Sequence, residues 1–135
     1  MTNVVPISCY IRAKNEARKI ADVVRAVRPV VDEVVLVDSG STDDTVALAE
    51  AEGARVVHQA WLGYGAQKRF AEEQCRNDWL LSLDADEVIS PAFAAELNAL
   101  FAASEPPSGR ARYRGGLLMG PWTLFRRVQS IKSPS

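Results

Sequence analysis

The chain has 135 residues, 47% hydrophobic and 24% charged, with a net charge of −1. That is one domain with enough chain for a real core, and no apolar stretch approaches the roughly 20 residues a membrane-spanning helix needs. Cys9 and Cys75 are far apart in apolar or helical contexts and read as buried thiols of a reducing compartment, with a disulfide or metal role as the minor alternative.

The first predicted element is a strand over 4–11, an apolar run with β-branched members. It starts almost at the N-terminus, with no basic leader or cleavage site, which predicts a cytoplasmic protein. A helix follows over 17–27, with Ile20, Val23, Val24 and Val27 at helical spacing. A second strand over 33–37 is nearly all Val and Leu, as expected when both faces are buried. A helix over 42–52 is closed by Gly53. A short strand over 54–58, a helix over 66–76 and a strand over 79–83 come next, then a helix over 91–103 with Ser90 as N-cap and Pro91 at its first position. Strands alternating with helices predict right-handed crossovers and a mostly parallel sheet. Beyond Gly109 no clear element is expected.

The fourth strand ends in Asp84-Ala-Asp-Glu87. Asp84 and Asp86 are two apart, so an extended backbone would send both carboxylates from one face. Two hard oxygen donors suit Mg²⁺ or Mn²⁺, which take further ligands from water and phosphate. The first strand ends in Arg12-Ala-Lys-Asn-Glu16 and the second in Asp38-Ser-Gly-Ser-Thr-Asp43. Ligands of open parallel sheets bind beyond the carboxyl ends of strands, so with the first and fourth strands adjacent all three loops would face one crevice. The Asp38 loop has two readings. Ser41 and Asp44 have capping-box spacing, which makes it a capped helix start; alternatively Asp38 accepts hydrogen bonds from a base or ribose. Gly40 supplies the positive φ either way.

Neither G-x-G-x-x-G nor G-x-x-x-x-G-K-[ST] is present, so phosphate would be held by a metal ion or by Lys14, Lys68 or Arg69, each also readable as a surface charge. Trp61-Leu-Gly-Tyr-Gly-Ala-Gln-Lys68 is either an aromatic loop that closes on a base or sugar, or a connection with its rings packed inward. His58, the only histidine, has no cluster for zinc and no triad partners.

Four segments together resemble the family-2 glycosyltransferases of GT-A fold, in particular the bacterial lipopolysaccharide-core β-glucosyltransferases: Lys14-Asn-Glu16, Val37-Asp-Ser-Gly-Ser-Thr-Asp43, the 61–68 loop, and Asp78-Trp-Leu-Leu-Ser-Leu-Asp-Ala-Asp-Glu87. The resemblance implies a GT-A-like, Rossmann-like α/β sheet with flanking helices, and an inverting transfer from a nucleotide-diphosphate sugar to a glycan or lipid-linked acceptor. Nucleic acid is not implied as a partner, and the implied location is the cytoplasm, up to the inner face of its membrane. It places Glu16, Asp38, Lys68 and Asp84 at the nucleotide sugar, with Asp38 at the base and Asp84 at the ribose or sugar. It makes Asp86 the ligand of a divalent metal, Mg²⁺ or Mn²⁺. Arg12 and Arg69 depart from the family, which usually has a small or hydroxyl residue and Asn at those places.

Family members are about twice this length, and their second half carries the acceptor site and catalytic base, so the chain reads as a truncated member with only the nucleotide-binding half and no assignable base. Residues 1–105 form the expected nucleotide-sugar-binding domain and 106–135 a basic, irregular or incomplete acceptor region, with six Lys/Arg and no acid. Two alternatives are a binding remnant without turnover and, remotely, a haloacid-dehalogenase-type phosphatase. The latter expects its Asp-x-Asp near the N-terminus, followed by Gly or Thr.

Overall fold

The computed structural model describes residues 4–102, 112–114 and 123–126. Its elements are β1 (Val5–Ala13), α1 (Ile20–Val27), β2 (Val31–Asp38), α2 (Thr45–Ala51), β3 (Arg55–His58), α3 (Tyr64–Glu73), β4 (Trp79–Asp84), α4 (Pro91–Leu100), β5 (Arg112–Arg114) and β6 (Thr123–Arg126). They form one sheet ordered β3-β2-β1-β4-β6-β5. The first four strands are parallel, and β6 and β5 continue the sheet antiparallel. The alternating pattern predicts the mostly parallel sheet, and the structure adds the order: β1 lies between β2 and β4, so the strand order reverses between β1 and β4.

Apolar periodicity explains the layers. The α1 stripe of Ile20, Val23, Val24 and Val27 is fully buried and packs with Ala49 of α2 and Phe93 and Leu97 of α4 on one face of the sheet. The other face carries Tyr10, Val35, Val37 and Leu80 beneath Ala71 and Cys75, with Phe70 of α3 packed alongside. Each buried Val, Leu or Ile contributes about 1.5–3 kcal/mol of transfer free energy.

A buried polar network pins the sheet at the end away from those loops. Ser8 Oγ donates to Glu33 Oε2 at 2.6 Å, and the Arg76 backbone N–H donates to the same oxygen at 2.7 Å. Arg55 approaches Glu33 Oε1 at 3.3 Å. Asn77 donates to Ser8 Oγ and Asp32, and Arg76 Nε bonds Asp32 at 2.9 Å. Past the end of α3, where the Cys75 N–H tightens onto the Glu72 carbonyl, the Arg76 N–H turns to Glu33 and does not resume the helix.

Four details depart from the sequence reading. The helix expected from residue 42 begins at Thr45, and the Ser41–Asp44 capping box does not form: Asp44 makes no side-chain cap, and Ser41 turns back to Asp38. The helix expected from residue 17 begins at Ile20, preceded by a turn in which the Glu16 carbonyl accepts the N–H groups of both Lys19 and Ile20. The extended backbone expected to carry both Asp84 and Asp86 ends at Asp84; the Glu87 N–H bonds the Asp84 carbonyl at 3.1 Å and closes a turn, so Asp86 leaves the strand geometry. Two strands also appear beyond Gly109, where none was expected, with Leu81 level with Leu124 and Tyr113 level with Leu124. Segments of three and four residues carry no readable period; β6 is ordered by pairing to β4, and β5 by pairing to β6. The Ser90 cap does form, accepting the Phe93 N–H at 3.0 Å.

Candidate functional site

The loops after β1 and β2 are interlocked by side chains that replace helix capping. Asn15 takes a positive φ of 55°. Its carboxamide oxygen accepts the Thr42 N–H at 2.8 Å, and its own N–H reaches Ser41 Oγ at 2.8 Å. Thr45 Oγ1 accepts the Glu16 N–H at 2.8 Å and donates to Asp43, whose other oxygen meets the Ala17 N–H. These hydrogen bonds, the Thr45 hydroxyl first, hold the Asp43 carboxyl below its usual range.

Asp38 sits under this clasp at 1% exposure. Its Oδ2 accepts the N–H groups of Gly40 and Ser41 at 3.1 and 2.9 Å, and its Oδ1 accepts from Ser41 Oγ. His58 Nδ1 stands 3.7 Å away. The carboxylate thus shapes the turn in which Gly40 has φ 116°.

Between the ends of β1 and β4 and the start of α3 opens a cleft of about 290 Å³. Glu16 and Asp84 line it, as do Arg12, Lys14 and Ser39. The opposite wall is Trp61 and Tyr64, whose rings meet edge-on at 5.0 Å. The rings are exposed, Tyr64 at 81%, so the reading in which they pack inward is not what the chain does. Gly63, at φ 97°, turns the chain into α3. Gln67 is fully buried and holds the loop by both ends of its amide, accepting the Leu62 N–H at 3.0 Å and donating to the Gln59 carbonyl at 3.1 Å.

Of the residues singled out from sequence, the cleft therefore unites Lys14, Glu16 and Asp84 with Trp61 and Tyr64. Asp38 lies beneath it. Lys68 lies off its wall, with Nζ 3.4 Å from Glu72 and 5.4 Å from the Phe125 ring centroid. Asp86 is exposed in the turn after β4. Arg12 and Gln67 were not assigned to the site beforehand. Counting alternation from Tyr10 along β1 places Arg12 on the α3 face, which was the available signal; Gln67 gave none, because its role depends on the path of the loop.

Among the described residues no three His, Cys, Asp or Glu side chains are grouped as a metal cage. The acidic turn nevertheless suits a cation shared with a ligand. Burial pushes the Glu87 carboxyl above its usual range, and Asp84 and then Asp86 push it further. Its Oε1 is buried without a hydrogen-bond partner among the described residues. Hard oxygen donors crowded at one strand end fit Mg²⁺ or Mn²⁺ completed by phosphate and water.

Residues 8–116 match the model of glycosyl transferase family 2. The chain is 53% identical over 97 residues to an uncharacterized glycosyltransferase of Rickettsia felis, covering 72% of this chain and 34% of that protein. It is 36% identical over 121 residues to the lipopolysaccharide core biosynthesis glycosyltransferase LpsC of Rhizobium meliloti, covering 86% of this chain and 44% of LpsC. The structure superposes on glucosyl-3-phosphoglycerate synthase from Mycobacterium tuberculosis, crystallised with Mg²⁺ and UDP, with a TM-score of 0.62 and 31% identity, covering 74% of this chain and 40% of the synthase. The chain spans about a third of the length of the Rickettsia relative.

Proposed function

The chain belongs to glycosyl transferase family 2, and from that premise we propose that its cleft binds the nucleotide-diphosphate sugar of an inverting, metal-dependent transfer to a glycan acceptor of the lipopolysaccharide-core kind. The observation that carries this reading is the single cleft at the β1/β4 switch point lined by both Glu16 and Asp84. The likeness to LpsC and to a synthase crystallised with UDP and Mg²⁺ supports it.

In this proposal Glu16 meets the nucleoside and Asp84 the ribose or sugar. Asp38 acts through the turn it organises, presenting Ser39 to the cleft. Lys68 joins the donor only by leaving Glu72, an i,i+4 pair worth about 0.3–0.5 kcal/mol. Asp86 would hold the divalent cation, which when bound supplies charge stabilisation to the departing diphosphate. The Trp61–Tyr64 wall shields one side of the sugar from water. The acceptor hydroxyl attacks the anomeric carbon from the face opposite the nucleotide, and a carboxylate takes its proton, a contribution of about 10²–10⁴ in rate. That base is not assigned to any described residue. A cytoplasmic site of action, at the inner face of the membrane for a lipid-linked acceptor, belongs to the same proposal. Among the described residues no helix is long and apolar enough to cross a membrane.

Calorimetry with UDP-, GDP- and ADP-sugars, with and without Mn²⁺, tests the reading. One donor should bind in a metal-dependent manner, and Asp86→Ala should remove that dependence. Failure of every nucleotide sugar to bind with Mn²⁺ present would refute the donor site.

A further inference from the structure

The cleft holds two cations, Lys14, which the sequence already offers to a phosphate, and Arg12, which the donor reading leaves without a task. Tyr10 and Arg12 alternate onto the α3 face of β1, and Arg12 is level with Asp84 on the neighbouring strand. Arg12 and Asp84 line the cleft, and so does Lys14. Arg25, Arg55, Lys68 and Arg76 each make an ion pair. Arg12 and Lys14 make none with a described residue, although Asp84 is directly beside Arg12. A partly buried guanidinium and a carboxylate on adjacent strands that leave one another alone are both available to a ligand carrying complementary groups.

The geometry points to Arg12, assisted by Lys14, as the protein's own grip on the diphosphate of the donor. This rests on the donor-site reading and adds a specificity residue to it. A sugar nucleotide offers hydroxyls to Asp84 and phosphate oxygens to Arg12 within the same cleft, a match that a neutral acceptor does not provide. The guanidinium donates two N–H groups in a fork that fits phosphate oxygens, and the anion replaces the ion pair the strand does not make. Part of the diphosphate affinity therefore persists without a divalent cation.

The test is calorimetry of the full chain with inorganic pyrophosphate, UDP, UMP and 3-phosphoglycerate, each in Mg²⁺ and in EDTA. Pyrophosphate needs no matching base, so it reads the grip whichever nucleotide is preferred. In EDTA, wild type should bind pyrophosphate with an affinity that falls as salt rises. Arg12→Gln should weaken it roughly tenfold, as loss of a charge-assisted bond to phosphate predicts, and Arg12→Lys, which keeps the charge and loses the fork, should restore only part of it. UDP should follow pyrophosphate, and UMP should change much less. Lys14→Gln, on an exposed side chain, should weaken pyrophosphate in the same direction and stands in should Arg12→Gln fail to fold. Equal pyrophosphate affinity in wild type and Arg12→Gln, or no metal-free binding at all, overturns the inference while leaving metal-dependent donor binding intact. Weakened 3-phosphoglycerate with unchanged pyrophosphate also overturns it, assigning the cation to a phosphorylated acceptor. A wild type that binds no nucleotide sugar even with metal sinks the donor reading, and this inference with it.

Discussion

At Glu33 four segments converge: β1 through Ser8, β2 through Glu33 itself, β3 through Arg55, and the α3–β4 connection through the Arg76 N–H. Burial raises the carboxyl's affinity for a proton, but the hydrogen bonds from Ser8, Arg76 and Arg55 together outweigh it and leave it below its ordinary value of 4.5. Asp32 shifts the same way, chiefly through the Arg76 hydrogen bond. The ionised forms are thus the ones folding favours. Their stabilisation is fully present above the ordinary carboxylate range and disappears as pH falls through the lowered native values. Urea midpoints should therefore drop steeply below about pH 4. Glu33→Gln should cost about 1–3 kcal/mol near neutrality, because it replaces a charged acceptor by a group with one acceptor oxygen and an unwanted donor. It should also flatten the acid limb; an acid limb as steep as that of wild type would show that Glu33 is not its source.

Among the elements, the 59–63 connection depends on one side chain. Gln67→Ala removes the partner of the Leu62 N–H and of the Gln59 carbonyl together, at a cost of about 0.5–1.5 kcal/mol for each of these partly buried bonds. Limited proteolysis should cut this connection first in the variant and not in wild type. Gln67→Glu, which keeps the acceptor and loses the donor, should fall between them, and equal cleavage of all three would show that the latch has no hold on the loop. How far these elements were legible depended on where their order originates. The α1 stripe and the continuous apolar runs of β2 and β4 carry their own period, so existence and neighbours could be read directly. The start of α2 could not, because Asn15, 27 residues from Thr42 in sequence, supplies the hydrogen bond that holds it off. For the same reason the acidic segment was legible as a site but not in shape. Asp84 is where strand alternation puts it, while Asp86 obeys a turn closed by a backbone bond. Strand β6 owes its order to β4 and β5 owes its order to β6, and both stayed invisible.

Across the whole molecule, β6 makes β4 an interior strand and places Leu124 fully buried against the α1/α4 core and Phe125 against the α3 side. Leu124→Ala should cost about 2–5 kcal/mol in chemical denaturation. A cost below about 0.5 kcal/mol would mean that this strand does not complete the core. The two thiols report on the same cooperativity. Cys9 and Cys75 are buried thiols, and burial pushes the Cys9 thiol well up. Labelling of Cys9 by a disulfide reagent should therefore require global unfolding and slow in step with stability. Labelling that is insensitive to denaturant would reveal a local opening instead.

The strongest polar network and the ligand cleft occupy opposite rims of one sheet, joined only by the apolar strands between them. Substitutions at Ser8 or Glu33 and at Arg12 or Asp84 share no partner, so their effects should add independently. A lineage built on this plan is free to vary the cleft at one rim while the opposite rim keeps the scaffold upright.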